Sequence, residues 1–123
     1  MTKVSIIEIV VSDMDLGRAF YCDKLGFEVK SDAYLPDVIV MEHDGVDLVL
    51  SAGKQPISID YPDTSGTRLI FEVDDIHAAH QDYLAKGIEI IDGPRDFPPG
   101  EYMAFKDPFS NVHGLTQLRE EPA

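Results

Sequence analysis

The sequence predicts an α+β fold of two tandem βαβββ modules, because it contains an internal repeat and each half shows the same order of elements. The segment IVVSDMDLGRAFYCDKLGFE, which starts at Ile9, can be laid on IFEVDDIHAAHQDYLAKGIE, which starts at Ile70, with Ile9 on Phe71. The matching pairs fall on strand, cap and turn positions: Val11 with Val73, Asp13 with Asp75, Tyr21 with Tyr83, Lys24 with Lys86 and, after one deletion, Gly26 with Gly87. Such a repeat indicates a duplication. We therefore expect one domain over residues 1–123, with module 1 at about 1–60 and module 2 at about 66–119.

Each module is predicted to open with a strand and a helix. Residues Val4–Val11 and Arg68–Val73 are rich in the β-branched and aromatic residues typical of strands. Asp13 and Asp75 follow these strands and can cap the N-terminus of a helix. Both helices carry an apolar stripe and reach a glycine soon after a lysine, which is a common helix end.

Three short strands are predicted to complete each module. In module 1 they are Phe27–Ser31, Asp37–His43 and Val46–Ala52, with Asp44-Gly45 as the hairpin turn. In module 2 they are Glu89–Ile91, Glu101–Lys106 and Val112–Gln117, with Asp107–Asn111 as the turn. Residues 53–67 are polar and rich in Pro, Gly and Ser, which predicts a linker between the modules. The proline-rich segment Gly93–Gly100 is predicted to be a rim loop.

The composition is strongly acidic, with 10 Lys+Arg against 23 Asp+Glu and a formal net charge of −13. Such a surface repels nucleic acid and anionic membranes, so neither is an expected partner. The excess of carboxylates is explained either by solubility or a salty habitat, or by a cationic small-molecule ligand. No apolar run is long enough for a membrane helix, and the N-terminus lacks the pattern of a signal peptide. With Cys22 as the single cysteine, we expect a cytoplasmic protein.

Several motifs in this order resemble the glyoxalase/bleomycin-resistance/extradiol-dioxygenase superfamily, also called the vicinal oxygen chelate superfamily. They are the first strand ending in Val-Ser-Asp-Met, Phe20-Tyr21 with Leu25-Gly26-Phe27, Phe71-Glu72-Val73-Asp74-Asp75, and Asp107-Pro108-Phe109-Ser110-Asn111. The resemblance covers nearly the whole chain. It implies that the strands form a cup-shaped mixed sheet with the helices outside. Ser110 departs from the family pattern, where glycine is usual, so it is expected either in a strained left-handed conformation or in a different turn.

Enzymes of this superfamily hold one divalent metal in the cup through His, Gln and Glu ligands from the first and last strands of each half. The resemblance maps these four positions onto Ile6, Leu48, Arg68 and Gly114. None of the four side chains is a metal ligand, since two are aliphatic, one is absent and one is a fixed cation. A shift by two residues along the strands recovers only Glu8 and Thr116, which are weak oxygen donors. We therefore expect no metal and no cofactor.

The remaining candidate groups are four histidines and the cysteine. His77 and His80 lie three residues apart on the second helix, which faces away from the cup, so their partners are expected to be solvent. His113 alternates with Gly114 and is expected to point away from the cup. Cys22 is interpreted as a structural thiol.

Strand alternation assigns a set of residues to the face of the cup, where we expect ligand binding. The set comprises Glu8, Val38, Leu48, Arg68, Glu72, Tyr102 and Gly114. Two interpretations of its charges stay open: Glu8, Arg68 and Glu72 either contact a ligand or satisfy one another as a buried ion network.

Two functions follow from the resemblance. The first is a metal-independent, non-enzymatic binder, similar to the bleomycin-resistance branch, which sequesters a cationic or aromatic compound as an antibiotic-resistance protein would. The alternative is an enzyme related to the glyoxalases and dioxygenases. It would be either metal-dependent or metal-free, in the latter case with Arg68 and Glu8 or Glu72 as electrostatic and acid–base groups. The resemblance also implies a homodimer.

Overall fold

The structure is a computed structural model that describes residues 2–54, 61 and 67–119. The chain divides into two compact units, Met1–Ile57 (unit 1) and Ser58–Ala123 (unit 2). Each unit is described by itself. The predicted linker, 53–67, lies mostly outside the described residues. No helix of the described ranges has the length and apolar character to cross a membrane.

Unit 1 contains one helix and a four-stranded mixed sheet. Its elements are β1 (Ile6–Val11), α1 (Met14–Arg18), a π-helical segment (Ala19–Lys24), β2 (Val29–Ser31), β3 (Val38–Met41) and β4 (Asp47–Ala52). The strand order is β1-β4-β3-β2, with β1 parallel to β4 and the other pairs antiparallel.

Unit 2 repeats this arrangement. Its elements are β5 (Ile70–Glu72), α2 (Ile76–Ala85), β6 (Glu89–Phe97), β7 (Gly100–Lys106) and β8 (Val112–Leu118). The strand order is β5-β8-β7-β6, again with the first and last strands parallel. The same βαβββ order in both units confirms the predicted α+β fold class.

The helix starts lie where the sequence predicts them. The side chain of Asp13 accepts a hydrogen bond from the Leu16 N–H at 3.0 Å, and Asp75 accepts one from the Ala78 N–H at 3.0 Å. Each aspartate thereby satisfies one of the N–H groups that a helix start leaves unpaired. Gly87 follows α2 with φ +74°, a conformation that side chains rarely adopt.

The first helix differs from the second by its π-helical segment. In the repeat, module 1 has one residue more than module 2 between the cap aspartate and the glycine that follows the helix. A π-helical turn accommodates one additional residue in a helix without moving its two ends. The extra residue of module 1 is thus accommodated in the π-helical segment Ala19–Lys24, and the turn that follows the helix is not lengthened by it.

In each unit the helix packs on one face of the sheet and forms the core there. In unit 1 a Cβ at Gly17 of α1 would lie 3.2 Å from the side chain of Val11, so helix and strand are in close contact. In unit 2 the ring of Tyr83 on α2 meets that of Phe105 edge-on, with 5.2 Å between centroids. The fully buried side chains of this face include Val11, Ile39, Met41, Leu48 and Leu50 in unit 1, and Ile76, Met103, Phe105 and Leu115 in unit 2.

The rim loop predicted over Gly93–Gly100 is wrong for most of its length, because β6 continues to Phe97. The register with β7 shifts twice between Ile90 and Arg95, and Gly93 has φ +78°. Since β6 is an edge strand, a proline at an irregularity removes no essential ladder hydrogen bond. Pro94 therefore marks a bulged edge strand, and Pro98 and Pro99 form the turn between β6 and β7.

The turn between β7 and β8 contains the predicted departure at Ser110, which has φ +69°. The carboxylate of Asp107 stabilises this turn by accepting hydrogen bonds from the N–H groups of Phe109 and Asn111, both at 2.8 Å. The Asn111 side-chain amide adds a third at 2.7 Å. These hydrogen bonds stabilise Ser110 in the left-handed conformation, which is usually adopted by glycine.

Candidate functional site

Unit 1 carries a hollow of about 610 Å³ on the sheet face opposite its helix. A Glu8–Val49–Val40 row runs across β1, β4 and β3, because the register pairs Val49 with both of its neighbours. Side chains paired in register point to the same face of a sheet. The full lining is Ile6, Glu8, Tyr34, Asp37, Val38, Val40, Val49 and Ser51.

The charges that line this hollow are both negative. Glu8 lies on β1, and its Oε2 accepts a hydrogen bond of 3.0 Å from the Ser51 hydroxyl on β4. Asp37 immediately precedes β3. The remaining lining is apolar apart from Ser51 and the phenol of Tyr34, which is 64% exposed. The arrangement suits a ligand that has both an apolar surface and a positive charge.

Two of the residues assigned to the cup, Glu8 and Val38, line this hollow, but Leu48 does not. Leu48 pairs with Met41 and is only 1% exposed, in the core beneath the helix. The assignment of Leu48 to the cup face is therefore wrong by one residue. A shift of one position along a strand moves a side chain to the other face, and Val49 occupies the place expected for Leu48.

In unit 2 the corresponding sheet face carries Tyr102 above Gly114. The register pairs Ile70 with Gly114 and Tyr102 with Thr116. A Cβ at Gly114 would lie 2.7 Å from Cε2 of Tyr102, so the phenol ring fills the space that a side chain at this position would need. Glu72 also projects on this face, where its register partner is Thr116.

Tyr102 belongs to a closed ring of five side chains that are joined by hydrogen bonds and cation–π contacts. Arg68 Nη1 donates to the Tyr102 hydroxyl at 3.1 Å, and its guanidinium lies 4.8 Å from the ring centroid of Tyr61. The Tyr61 hydroxyl donates to Asp92 Oδ2 at 2.6 Å. Arg95 binds Asp92 through Nε and Nη2, and its guanidinium lies 5.5 Å from the Tyr102 centroid. The cation–π contacts and hydrogen bonds thus connect every member to two others.

These contacts shift two ionisation equilibria. Burial, together with a hydrogen bond to Tyr61, raises the pKa of Tyr102 to about 12, although Arg68 opposes this. The phenol therefore stays protonated at neutral pH and does not act as a base. The hydrogen bonds from Arg95 and Tyr61 lower the pKa of Asp92 below its usual value.

Of the predicted network of Glu8, Arg68 and Glu72, the pair Arg68–Glu72 lies within one unit and can be compared with the observed contacts. Glu8 accepts from Ser51, and Arg68 contacts Tyr61 and Tyr102. Within the described part of unit 2, no ion pair joins Arg68 to Glu72.

The strand register also tests the metal positions. Glu8 corresponds to Ile70 in the repeat. Glu8 pairs with Val49, and Ile70 pairs with Gly114, so Val49 is the residue of unit 1 that is equivalent to Gly114. Val49 therefore replaces Leu48 among the four mapped positions. Valine has no donor atom either. The Thr116 hydroxyl, a fallback ligand, donates to the Glu101 carbonyl at 2.8 Å. The residues at these positions do not fit the divalent metal of the superfamily's enzymes.

None of the four histidines lines the hollow of unit 1. Among the described residues no three His, Cys, Asp or Glu side chains are grouped to hold a metal. His77 on α2 forms a 2.7 Å contact with Glu101, so the expectation that its partner is solvent is wrong. His113 packs against Phe71 and Phe105, on the face opposite Gly114, as predicted. Desolvation lowers the pKa of His113 to about 4, although Asp107 opposes this.

Sequence reasoning missed several residues of these faces. Val49 and Ser51 could have been found from the pairing of β1 with β4. Tyr34 and Asp37 lie outside regular strands, and strand alternation gives no signal for them. Tyr61, within the predicted linker, could not have been connected to Asp92 by any local pattern.

Residues 3–113 match the family model of the Glyoxalase/Bleomycin resistance protein/Dioxygenase superfamily. A protein of Shewanella frigidimarina is 29% identical over 131 residues, covering 97% of each chain. The crystal structure of TnmS3, an antibiotic binding protein from Streptomyces sp. CB03234, is similar with a TM-score of 0.75 and 26% identity, over 97% of this chain and 98% of that one. A glyoxalase/dioxygenase from Nostoc punctiforme matches with a TM-score of 0.76 and 25% identity, over 96% and 92% of the two chains.

Proposed function

Because the chain belongs to the Glyoxalase/Bleomycin resistance protein/Dioxygenase superfamily, we propose that it is a metal-independent protein that binds a small molecule in the hollow of unit 1. The ligand class we infer is a cationic aromatic compound, bound and sequestered as in antibiotic resistance. We also propose that the protein acts in the cytoplasm.

The observation that carries this proposal is the chemistry of the hollow. Its volume of about 610 Å³ lies in the range of sites that enclose drug-sized molecules. Val38, Val40 and Val49 offer an apolar floor on which a planar ring system can lie. Tyr34 adds an aromatic ring at the margin. An aromatic body therefore gains burial, which contributes roughly 25 cal/mol for each Å² of apolar surface removed from water.

The charge preference comes from Glu8 and Asp37. A cation placed between them is attracted by both carboxylates, and no lysine or arginine competes along the lining. The net charge of −13 also raises the concentration of cations around the protein. Ser51 holds the Glu8 carboxylate in place, which lowers the entropy lost when a ligand pairs with it.

The likeness to TnmS3, an antibiotic binding protein, supports the sequestering role, since it extends over nearly the full length of both chains. Metal independence is supported by the donor set, because Ile6, Val49, Arg68 and Gly114 supply no metal ligand.

Calorimetric titration of the full chain with a planar aromatic cation tests the proposal. The probe is proflavine, and its neutral relative acridine is the comparison; both are titrated in the presence of EDTA. The wild type is expected to bind proflavine more tightly than acridine. The double variant Glu8→Gln/Asp37→Asn should weaken proflavine binding by roughly tenfold or more, because two attractive charges are lost.

The matched control is Asp23→Asn/Glu28→Gln, which removes the same two charges from exposed positions of unit 1 outside the hollow. It should change the affinity less than threefold, by roughly 0.6 kcal/mol at most. Equal losses in both double variants would contradict a specific site and leave only a general effect of net charge. Binding that requires a divalent metal would contradict metal independence.

We further propose that the protein is a homodimer. The exposed large apolar side chains of Val4 and Ile6, at 66% and 59%, are the kind of surface that a subunit interface covers. Light scattering during gel filtration should give twice the chain mass of 13.7 kDa, and a monomer at micromolar concentration would contradict it.

A further inference from the structure

We propose that Arg68 forms a second binding site, in unit 2, for the carboxylate of a small molecule with an apolar body. This site goes beyond the proposed function, because it lies in the other unit and prefers the opposite charge.

The Arg68 guanidinium is held in place by two tyrosines. It lies 4.8 Å from the ring centroid of Tyr61 and donates through Nη1 to the Tyr102 hydroxyl at 3.1 Å. Tyr102 is itself only 5% exposed. A guanidinium has five N–H donors in a rigid fork, and this hydrogen bond uses one of them. The remaining donors are therefore presented with little conformational entropy to lose.

Arg68 differs from the other described arginines in its partners. Arg18 pairs with Asp32 at 3.8 Å, Arg95 with Asp92 at 3.0 Å and Arg119 with Asp96 at 3.6 Å. Within residues 2–54, 61 and 67–119, no carboxylate forms an ion pair with Arg68.

Asp92, whose pKa Arg68 helps to lower, is not available to pair with Arg68. Arg68 acts on Asp92 only through its charge, because the Asp92 oxygens already accept hydrogen bonds from Tyr61 and Arg95. Arg68 is half-buried, and in a chain with 23 acidic residues the lack of an ion pair to any described carboxylate sets it apart from the other described arginines. A carboxylate matches its fork geometry through two parallel N–H···O bonds.

An apolar surface lies beside this guanidinium. Ile70 is two residues further along and 52% exposed. The Gly114 N–H donates to the Leu69 carbonyl at 2.8 Å, so the extended pairing continues back toward Arg68 and places Arg68 and Ile70 on one face. A ligand whose carboxylate meets Arg68 can therefore rest its ring or alkyl body on Ile70. The chemistry favours an aryl or alkyl monocarboxylate over a bare inorganic anion.

Titration with benzoate, followed by protein NMR or calorimetry at neutral pH, tests the site. Benzamide is the uncharged comparison, and inorganic phosphate is the anion without an apolar body. Benzoate is expected to bind the wild type with a Kd of about 1 mM or below, and both comparisons at least tenfold more weakly. Arg68→Gln should weaken benzoate binding by roughly tenfold or more, and Arg68→Lys should retain part of it, because lysine keeps the charge but loses the fork.

The control is Arg119→Gln, which removes one positive charge elsewhere in unit 2 and should leave benzoate binding unchanged. If Arg68→Gln lowers the folded fraction, Tyr102→Phe provides a second test, since it keeps the ring and removes only the hydroxyl that anchors Arg68. That variant should weaken benzoate binding severalfold. Three results would overturn the proposal. The first is that the wild type binds no benzoate at a benzoate concentration of about ten times the expected Kd. The others are that Arg68→Gln binds benzoate as tightly as wild type, or that phosphate binds as tightly as benzoate.

Discussion

The ring of Tyr102 occupies the space above Gly114, where an added Cβ would lie 2.7 Å from Cε2 and 3.2 Å from the hydroxyl oxygen. In the superfamily this position on the last strand supplies a metal ligand, by the resemblance noted above. In this chain the glycine admits a phenol whose hydroxyl accepts a hydrogen bond from Arg68. The pair thus replaces a potential ligand position with a packed, hydrogen-bonded side chain.

This packing predicts that Gly114→Ala destabilises the protein by about 1–3 kcal/mol, the usual cost of overpacking a core. The backbone at Gly114 does not need a positive φ, so the cost is steric. Urea unfolding measures it. In a Tyr102→Leu background the same substitution should cost less, because the closest atoms are gone and only Ile70 Cγ1, at 3.1 Å, stays tight. An equal cost in both backgrounds would show that Tyr102 is not the obstacle.

The π-helical segment Ala19–Lys24 predicts an unusual tolerance to deletion. Removing the exposed Asp23 deletes the surplus residue and lets the segment become a regular α-helix with both ends in place. The free energy of unfolding should change by no more than about 1 kcal/mol.

The matched control for this prediction removes Asp82 from α2, which has no surplus residue. It rotates the last part of the helix by about 100° and should destabilise unit 2 by several kcal/mol. Comparable losses in the two deletion variants would contradict the account of the π-helical segment as an absorbed insertion.

The extent to which the sequence predicts this molecule depends on whether the signal is local. Asp13 and Asp75 mark the helix starts correctly, because a cap uses an N–H three residues away. The prediction that places Leu48 on the cup face is wrong, because an all-apolar strand such as LVL does not show by alternation which face is buried. The resemblance predicts the fold class, but the ring of side chains that includes Tyr102 depends on contacts such as Tyr61–Asp92, 31 residues apart, which no local pattern encodes.

His113 predicts an acid dependence of stability. Its pKa is lowered to about 4 by burial, so the folded protein binds this proton less readily than the unfolded chain does. The free energy of unfolding therefore has its full value above the unfolded pKa of about 6.5, where His113 is neutral in both states, and it decreases as pH falls toward 4. The slope approaches about 1.4 kcal/mol per pH unit within that window. His113→Leu should remove this part of the pH dependence. The measurement is the free energy of unfolding of wild type and variant as a function of pH. Parallel curves from pH 7 to 4 would contradict the prediction.

Asp92 predicts a second loss of stability in acid, at a lower pH than that of His113, and Tyr61→Phe tests it. The Tyr61 hydroxyl donates to Asp92 Oδ2 at 2.6 Å, so its removal should raise the pKa of Asp92 toward the usual value while Arg95 still holds it low. A lowered carboxyl pKa stabilises the fold above the unfolded pKa of about 3.9, and that stability is lost as pH falls through the folded pKa. The variant should therefore be less stable than wild type by about 1 kcal/mol at neutral pH, and the gap should narrow in acid. Carboxyl carbon NMR titration measures the pKa directly.

The control is Tyr34→Phe, at an exposed tyrosine of unit 1, which should leave the pKa of Asp92 unchanged. If the pKa of Asp92 is also unchanged in Tyr61→Phe, the Tyr61 phenol does not stabilise the carboxylate.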